Sequence, residues 1–300
     1  MIRLGTRGSA LALAQARWVA ERLRGEVELV PIKTSGDERR RAIPELVDKS
    51  RFVKEIEEAL LAGEIDLAVH SAKDVPAELP DGLAIVGVPQ RADPRDALCG
   101  AASLERLADG AVVGTASLRR RAALLALRPD LDVRDLRGNV DTRLRHLAEG
   151  DFDAILLAQA GLDRLGRSDE GNPLDPERFT PAAGQGCLVL EARADRPEVA
   201  EAATALTDRD ALACLTAERA LVRALSATCN TPVGATTVTD GDDLRLVTFV
   251  GLPDGSHWIR DEDSGSAAEP AALGEAVGQR MLAAGAGELL AEAERVASPG

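Results

Sequence analysis

The stretch "FVKEIEEALLAGEIDLAVH", residues 52–70, decides the fold because it joins a helix to a strand. Its first part, up to the glycine, predicts a helix, and its last part predicts a strand. The chain before it predicts a strand over 2–6, a helix over 10–24 and a second strand over 27–33. Strands that alternate with helices in this way imply parallel strands joined by crossover helices.

The same alternation returns after "QRADPRDA" at 90–97, a segment rich in turn residues and charges that suggests a hinge. Strand and helix patterns then alternate over 111–158. At 180–193, "TPAAGQGCLVLEAR" places two glycines before a β-rich run, which suggests a second crossing between two lobes. After a helical stretch at 209–225, the segments over 235–263 have the pattern of hairpin-linked antiparallel strands. We therefore predict an α/β fold class, with two α/β lobes followed by a smaller α+β C-terminal domain that has an antiparallel sheet.

The composition argues against several classes of function. The 300 residues carry a net charge of −14, which is opposite to the basic footprint of a general nucleic-acid binder. No tyrosine and only two tryptophans and four phenylalanines occur, so base stacking on aromatic side chains is disfavoured. No apolar run approaches the roughly 20 residues of a membrane span, and the N-terminal stretch lacks the cleavage site of a secretory signal. We expect a cytoplasmic protein that binds neither nucleic acid nor a membrane.

The cysteines lie far apart, with no CxxC pair and no histidine at ligand spacing, which indicates neither a disulfide framework nor a metal site. Cys99, Cys187 and Cys214 fall in stretches that predict an interdomain segment, a strand and a helix, where buried, inert thiols are expected. Cys229 instead lies in the turn-forming stretch "SATCNTPVG" at 226–234. From these residues alone, Cys229 is either a half-buried cysteine in a connection or a thiol presented for reaction.

Three strand-to-helix junctions place arginine beside small or hydroxyl-bearing residues: "GTRGSALA" (5–12), "VGTASLRRR" (113–121) and "LRGNVDTRL" (136–144). A helix N-terminus favours an anion, and arginine binds carboxylate or phosphate through paired hydrogen bonds. The three junctions together therefore predict a ligand with several anionic groups. The candidate residues are Arg7, Ser9, Ser117, Arg119, Arg120, Arg137 and Arg143.

Arg119 and Arg120 call for an explanation of their own. Ser117 is a candidate N-cap, which puts both arginines in the first helical turn, where the helix dipole disfavours positive charge. We interpret their presence as a sign of an anionic ligand.

A polar segment, "HSAKDVPAELPDG" at 70–82, follows one of the predicted strands. Ligands of open α/β sheets bind beyond the carboxyl ends of the strands. Lys73 and Asp74 are therefore candidate site residues.

These motifs resemble those of the porphobilinogen deaminase (hydroxymethylbilane synthase) family. The resemblance covers nearly the whole chain, and the matching stretches occur in the family's order. They are "LGTRGSALALAQA", "VELVPIKTSGD", "FVKEIEEALLAGEIDLAVHSAKDVP", "RADPRDAL", "VGTASLRRRAAL", "LRGNVDTRL", "DAILLAQAGLDRLG", "AAGQGCLVLEAR", "LTAERALVRAL" and "CNTPVGA".

The resemblance implies a transferase of tetrapyrrole biosynthesis. It would condense four porphobilinogen molecules, with loss of ammonia, into the linear tetrapyrrole 1-hydroxymethylbilane. The resemblance also implies a dipyrromethane cofactor, held by a thioether to Cys229, and a catalytic role for Asp74. The implied cofactor-binding residues are Lys73, Asp74, Ser117, Arg119, Arg120, Arg137 and Gly138, and the implied substrate-binding residues are Arg7, Ser9, Arg119, Arg120, Arg137 and Arg143.

The architecture implied for the first two lobes resembles that of periplasmic binding proteins. The expected domain limits are 1–90 with 187–206 for the first lobe, 93–184 for the second and 209–300 for the C-terminal domain. We expect a monomer without a metal ion, which passes its product to a uroporphyrinogen-III synthase.

The chain departs from the family pattern at two places. A long polar loop is predicted at 34–50, where the family often has a glycine-rich "GGKG"-like stretch before Phe-Val; here the sequence is "VDKSRFVKE". Lys49 and Phe52 align with the family, but the glycines are absent. The glycine that usually precedes the cysteine motif is also missing.

Two other classes of protein are alternatives to this enzyme. A non-catalytic anion-binding protein with the same lobes would need neither Asp74 nor a modified Cys229, and it would usually carry an export signal. A transcription regulator with such a ligand domain should show a helix-turn-helix segment, and none stands out.

Overall fold

The computed structural model describes residues 1–34, 53–228 and 231–297, which form three β-sheets with covering helices. The strands are β1 (Ile2–Arg7), β2 (Val27–Ile32), β3 (Leu67–Ser71), β4 (Leu83–Gly87), β5 (Asp96–Cys99), β6 (Val112–Gly114), β7 (Asp132–Arg134), β8 (Ala154–Ala158), β9 (Asn172–Pro173), β10 (Leu188–Arg193), β11 (Val233–Asp240), β12 (Asp243–Gly251) and β13 (Trp258–Ser266). The helices are α1 (Ala10–Ala20), α2 (Lys54–Leu61), α3 (Leu118–Leu127), α4 (Val140–Ala148), α5 (Gln159–Arg164), α6 (Pro197–Thr204), α7 (Arg209–Ala224), α8 (Pro270–Ala283) and α9 (Ala286–Ala297).

The first lobe is built on a five-stranded sheet of order β2-β1-β3-β10-β4. Strand β1 pairs in parallel with β2 and β3, as the sequence pattern predicted. Strand β10 comes from a distant part of the chain and runs antiparallel to both β3 and β4. Helix α1 covers one face because its small and branched residues, Ala16 and Val19, pack on the fully buried Leu4 and Leu67.

The second lobe has a five-stranded sheet of order β7-β6-β8-β5-β9. Strand β6 pairs in parallel with β7 and β8, while β5 runs antiparallel to β8 and β9. Hydrophobic side chains of α3, such as Leu124, bury against this sheet. The sites predicted at strand-to-helix junctions therefore belong to two separate sheets.

The chain crosses from the first sheet to the second between β4 and β5 and returns between β9 and β10. The two crossings lie side by side, because the backbone N–H of Ala92 donates to the carbonyl oxygen of Gly186 at 3.2 Å. Gly186 has φ +86°, and a Cβ there would lie 2.4 Å from the carbonyl oxygen of Ala92. Only glycine fits this close approach.

The C-terminal domain is a three-stranded antiparallel sheet, β11-β12-β13, covered by α7, α8 and α9. Phe249 of β12 is buried in the core of the second lobe. Leu215 of α7 packs with Val75 and Cys187 of the first lobe. The domain therefore contacts both lobes, and the predicted fold class, two α/β lobes plus a smaller α+β domain, is confirmed. No helix within the described ranges is long and apolar enough to cross a membrane.

Candidate functional site

A cavity of about 490 Å³ lies where the two lobes and the C-terminal domain meet, and we call it the central cavity. The first lobe contributes the turn after β3, and the second lobe contributes the start of α3. The C-terminal domain contributes one face of α7 and the chain that follows it. Polar and charged residues from all three parts line this space: Lys73, Asp74, Glu78, Ser117, Arg119, Arg219, Arg223, Ser226, Thr228 and Thr231.

A second cavity of about 70 Å³, the small cavity, lies within the first lobe. Arg7 and Ser9 line it at the β1–α1 junction, and Gln15 lines it from α1. Asp74 lines both cavities. The structure therefore places one carboxylate between two of the predicted anion-binding junctions.

The turn that carries Lys73 and Asp74 is a single 3₁₀ turn, Ala72–Asp74, directly after β3. It packs against Gly184 of the return crossing, where a Cβ would lie 2.9 Å from the Cβ of Ala72 and 3.1 Å from the backbone nitrogen of Lys73. Gly184 also has φ +70°, so a larger residue there would push the turn away. The placement beyond the carboxyl end of a strand is the one predicted for these two residues.

Lys73 is connected to the second lobe by a buried amide. Its Nζ donates to Oε1 of Gln185 at 3.1 Å, and Nε2 of Gln185 donates to Oδ1 of Asp96 at 3.0 Å. Gln185 is 1% exposed and Asp96 is fully buried. The site thus spans the boundary between the lobes through a chain of side-chain hydrogen bonds.

Arg119 and Arg120 both bind Asp96, so their presence in the first turn of α3 has an internal explanation. Nη1 of Arg119 lies 2.7 Å from Oδ2 of Asp96, and Nη2 of Arg120 lies 2.7 Å from Oδ1. Although burial alone would raise the pKa of Asp96, the two guanidinium groups hold it well below its usual range. The inference that an external anion is needed to compensate these two charges is therefore corrected.

The two arginines differ in what remains available to a ligand. Arg120 directs Nε to Asp96 and Nη1 to the carbonyl oxygen of Leu156, inside the second lobe. Arg119 lines the central cavity, and its buried Nε has no hydrogen-bond partner among the described residues. Burial lowers the pKa of Arg119.

Each predicted junction does form a capped helix start. Oγ of Ser9 accepts from the backbone N–H of Ala12, Oγ of Ser117 from that of Arg120, and Oδ1 of Asn139 from that of Thr142. The N-cap expected at Ser117 is confirmed.

Arg137, Gly138 and Arg143 lie together at the start of α4 but on the wall of neither cavity as the described residues form them. Gly138 has φ +118°, and its carbonyl oxygen accepts from Nε of Arg143 at 2.9 Å. Burial, and the like charges of Arg120 and Arg137, lower the pKa of Arg143 to about 10. Arg137 is exposed and pairs with Asp135 at 3.3 Å. The structure therefore groups these residues separately from Lys73 and Asp74.

Cys229 lies outside the described residues, but its neighbours on both sides border the central cavity. The backbone N–H of Thr228 donates to Oγ1 of Thr231 at 3.1 Å, and that hydroxyl donates back to the carbonyl oxygen of Thr228 at 2.6 Å. This reciprocal pair holds Thr228 and Thr231 together at the wall of the central cavity.

The other three cysteines are buried thiols. Burial raises the pKa of Cys99 and of Cys214 to about 11 and that of Cys187 to about 12. A thiol with such a pKa stays protonated, and therefore inert, near neutral pH. Cys99 lies in β5 and not, as predicted, in an interdomain segment.

Comparison with known proteins agrees with this geometry. A family model described as the dipyrromethane cofactor binding domain of porphobilinogen deaminase matches residues 2–201, and a model of the C-terminal domain of the same enzyme matches residues 212–283. A porphobilinogen deaminase of Thermus thermophilus is 49% identical over 97% of this chain and 99% of its own length. Those of Deinococcus radiodurans and Trichlorobacter lovleyi are 47% and 46% identical, over 96% of this chain in each case and 97% and 95% of their own lengths.

The chain belongs to the porphobilinogen deaminase family.

Membership of this family decides between the classes that the sequence left open. The non-catalytic binding protein and the transcription regulator give way to an enzyme, a transferase, and the expected dipyrromethane cofactor is confirmed by the first family model. Looser likenesses are found among solved structures, such as a periplasmic substrate-binding protein from Coxiella burnetii with 17% identity and a TM-score of 0.42 over 69% of this chain and 92% of that chain.

The residues present fit the cofactor of the deaminase family. A dipyrromethane with acetate and propionate side chains needs cationic partners, and Lys73, Arg219 and Arg223 line the central cavity. Nε of Arg119, which has no hydrogen-bond partner in the part of the chain that the structure describes, adds a buried donor to this set. The pyrrole N–H groups of the dipyrromethane need a hydrogen-bond acceptor, and Asp74 lines the same cavity.

Arg219 was not singled out from the sequence, although it lies in the family stretch "LTAERALVRAL". Its guanidinium donates to the carbonyl oxygens of Pro76 at 2.7 Å, Ala77 at 3.0 Å and Val75 at 3.3 Å. It therefore joins α7 to the segment that directly follows Asp74. The available signal was its spacing of four residues from Arg223, which puts both on one helix face a short distance before Cys229.

Gln185 was also missed, although it lies in the family stretch "AAGQGCLVLEAR". The predicted loop at 34–50 lies outside the described residues apart from Thr34, and so do Lys49 and Phe52, which align with the family.

Proposed function

We propose that this chain is a hydroxymethylbilane synthase. It condenses four porphobilinogen molecules, with loss of ammonia, into 1-hydroxymethylbilane, a step of tetrapyrrole biosynthesis. The observation that carries this proposal is the position of Asp74, whose side chain lines both the cavity bordered by Thr228 and Thr231 and the cavity bordered by Arg7 and Ser9.

The two cavities take different parts of the reaction. The central cavity holds the cofactor, since Thr228 and Thr231, the described residues on either side of Cys229, border it. The small cavity with Arg7 and Ser9 receives the carboxylates of the incoming substrate. When bound, the dipyrromethane supplies the pyrrole chain on which the product is built. Asp74 lines both cavities, so its carboxylate can interact with the cofactor in one and with the incoming substrate in the other.

Asp74 acts through its negative charge. Porphobilinogen becomes a cation as its amine leaves, and its pyrrole N–H is a donor, so an ionised carboxylate stabilises both features. At about 4 Å and an effective dielectric constant near 20, one such attraction is worth about 4 kcal/mol. That is about three decades of rate.

The other predicted binding residues act in three ways. Lys73, Ser117 and Arg119 contact the cofactor directly, since they line the central cavity. Arg120 acts indirectly by fixing Asp96, which in turn orients Arg119 and, through Gln185, Lys73. The group at the start of α4 binds carboxylates of the cofactor or of the growing product from the second lobe: Arg137, Gly138 and Arg143.

The thiol of Cys229 is the attachment point. The pKa values of the other cysteines are raised by burial, which leaves those thiols unreactive. A thiolate is the competent nucleophile, and nearby basic side chains favour its formation. Arg219 and Arg223 line the same cavity as Thr228 and Thr231.

We also propose that the enzyme works as a cytoplasmic monomer with the domain limits 1–90 with 187–206, 93–184 and 209–300. Three buried cysteines without disulfides suit a reducing compartment. The open-chain product, which closes to a ring, would pass to a uroporphyrinogen-III synthase.

The replacement Asp74→Asn tests the role of the carboxylate, because it removes the charge and nearly keeps the shape. Porphobilinogen consumption and product formation should fall by about three decades, with the far-ultraviolet circular dichroism unchanged. Asp81→Asn, an exposed position in the same segment, is the matched control and should keep normal turnover. Turnover by Asp74→Asn close to that of the unmodified protein would contradict the assignment.

A further inference from the structure

A cluster of three buried titratable side chains lies directly behind the turn of Asp74. His70 is the penultimate residue of β3 and is 5% exposed, Glu191 on β10 is fully buried, and Glu57 on α2 is 8% exposed. Nε2 of His70 lies 3.0 Å from Oε2 of Glu191. The strand register, with Val189 opposite His70 and Glu191 opposite Ala68, puts the histidine and the glutamate on the same face of the sheet.

The polar atoms of this cluster are poorly satisfied. Oε1 of Glu57, both carboxylate oxygens of Glu191 and Nε2 of His70 have no well-oriented hydrogen bond among the described residues. Buried polar groups in folded proteins are nearly always hydrogen-bonded, so several exceptions in one place call for a function. Burial and the charge of Glu191 raise the pKa of Glu57 to about 7.

His70 connects the cluster with the substrate side of the site. It lines the small cavity together with Arg7, Ser9 and Asp74. A space of about 70 Å³ has room for a water molecule between the imidazole and the carboxylate. The charged groups that face His70 are Glu57 from α2 and Glu191 from β10. Arg7 and Asp74 line the same small cavity as His70. The positive charge of Arg219, on α7, interacts electrostatically with Glu191.

The condensation reaction releases a proton in each cycle, and the cluster of His70, Glu191 and Glu57 could accept it. Each cycle breaks the carbon–nitrogen bond of the substrate, which releases ammonia, and forms one carbon–carbon bond between pyrrole rings. It then breaks one carbon–hydrogen bond, whose electron pair restores the aromatic ring. The released proton must go to a base. If Asp74 takes it, the carboxylate loses the charge with which it stabilises the next cation.

We propose that His70 accepts this proton from Asp74 in every cycle and so returns Asp74 to its ionised form. The imidazolium formed is stabilised by Glu191. Its proton leaves through water in the small cavity and is taken up by the ammonia released from the substrate, which departs as ammonium. His70 acts through Asp74, which makes it a positioning residue rather than a catalytic one. This inference rests on the proposed function.

The test follows the pH dependence of turnover by the holoenzyme and three variants: His70→Gln, Glu191→Gln and, as a control, His257→Gln, which removes an exposed histidine outside both cavities. Loss of a proton acceptor should lower kcat of His70→Gln by about 100-fold or more, with little change in KM. Glu191→Gln should move the acid limb of the kcat/KM profile to lower pH, because the imidazolium loses its partner. A role confined to structure would lower the rate without moving that limb.

A second readout needs no turnover. The chain has three histidines, so the ring nitrogen signals in an NMR titration of the holoenzyme are few, and His146→Gln and His257→Gln assign the other two. The pH at which the His70 signals move should coincide with the acid limb of kcat/KM, and Glu191→Gln should shift both together. If His70→Gln does not fold, the pH profile of Glu191→Gln and the NMR titration of His70 still test whether His70 accepts the proton from Asp74.

An acid limb that stays in place in Glu191→Gln, or a His70 titration that does not coincide with it, would overturn the inference, as would normal turnover by His70→Gln. Failure of the proposed function itself is distinguishable, since the unmodified holoenzyme would then not consume porphobilinogen at any pH.

Discussion

At the scale of single residues, the structure separates basic side chains that hold the protein together from those that can hold a ligand. Arg120 is buried and bound to Asp96, whereas Arg137 is exposed beside Asp135. The sequence presents both as arginines near a helix start. The difference arises because Asp96, on another strand, is brought next to α3 only when the sheet forms.

Replacement of these two arginines by leucine should therefore have different consequences. Arg120→Leu breaks a buried ion pair and should lower the free energy of unfolding by about 3 kcal/mol, measured by urea denaturation. Arg137→Leu removes only an exposed pair and should change stability by less than about 1 kcal/mol, while it weakens substrate binding or stalls elongation. Equal loss of stability in both variants would contradict this division.

Glu57 provides a prediction about pH. Its pKa is raised from 4.5 to about 7 in the folded protein, so between these values the folded state holds a proton that the unfolded state has released. Stability must then fall as pH rises through this window. Glu57→Gln removes the titration and should raise the free energy of unfolding above pH 7, by up to about 3 kcal/mol, but not below pH 4.5.

Denaturation of both proteins at pH 5 and pH 8 measures this effect. Glu58→Gln is the matched control, since it lies on the same helix but is exposed. If the stability of Glu57→Gln relative to the unmodified protein is the same at both pH values, burial does not raise the pKa of Glu57 in the folded protein.

At the scale of secondary-structure elements, the alternating pattern predicted the helices, the parallel pairings of β1 and β6 and the antiparallel sheet of the C-terminal domain. The pattern did not show that β10 enters the first sheet antiparallel between β3 and β4. Periodicity records which faces of a strand are buried, and β10 is buried on both faces whatever its direction. The direction of β10 is set by its pairing with residues more than a hundred positions away in sequence. The local hydrophobic pattern contains no information on such contacts.

Helix α7 is hydrogen-bonded to the segment that follows Asp74 through the side chain of Arg219. Arg219 joins α7 to the segment after Asp74 through three carbonyl oxygens, a geometry that suits the planar guanidinium and not a lysine. Arg219→Lys should keep the fold but lower kcat by about tenfold or more, because the turn is less well positioned. The matched control is Arg280→Lys, which alters an exposed ion pair of the C-terminal domain and should leave kcat unchanged. A normal kcat in Arg219→Lys would show that α7 does not position the turn.

At the scale of the whole molecule, the site exists only where the three parts of the chain meet. Asp74 comes from the first lobe, Arg119 from the second, and Thr228 and Thr231 from the C-terminal domain. The family motifs identified most of the participants, since each motif is local in sequence. They could not show that Lys73 reaches Asp96 through Gln185, because that connection depends on how the lobes dock.

The central claim is that Cys229, and no other cysteine, carries a dipyrromethane at the meeting point of these parts. Its most direct test is the intact mass of the active purified protein, followed by mapping of the modified peptide. We predict a mass above that of the 300-residue sequence by two pyrrole units, located on the peptide that contains Cys229. Cys229→Ser should lack both the added mass and the activity, because a hydroxyl is a far poorer nucleophile than a thiolate. Active protein at its unmodified mass, or with the added mass on Cys99, Cys187 or Cys214, would contradict the account.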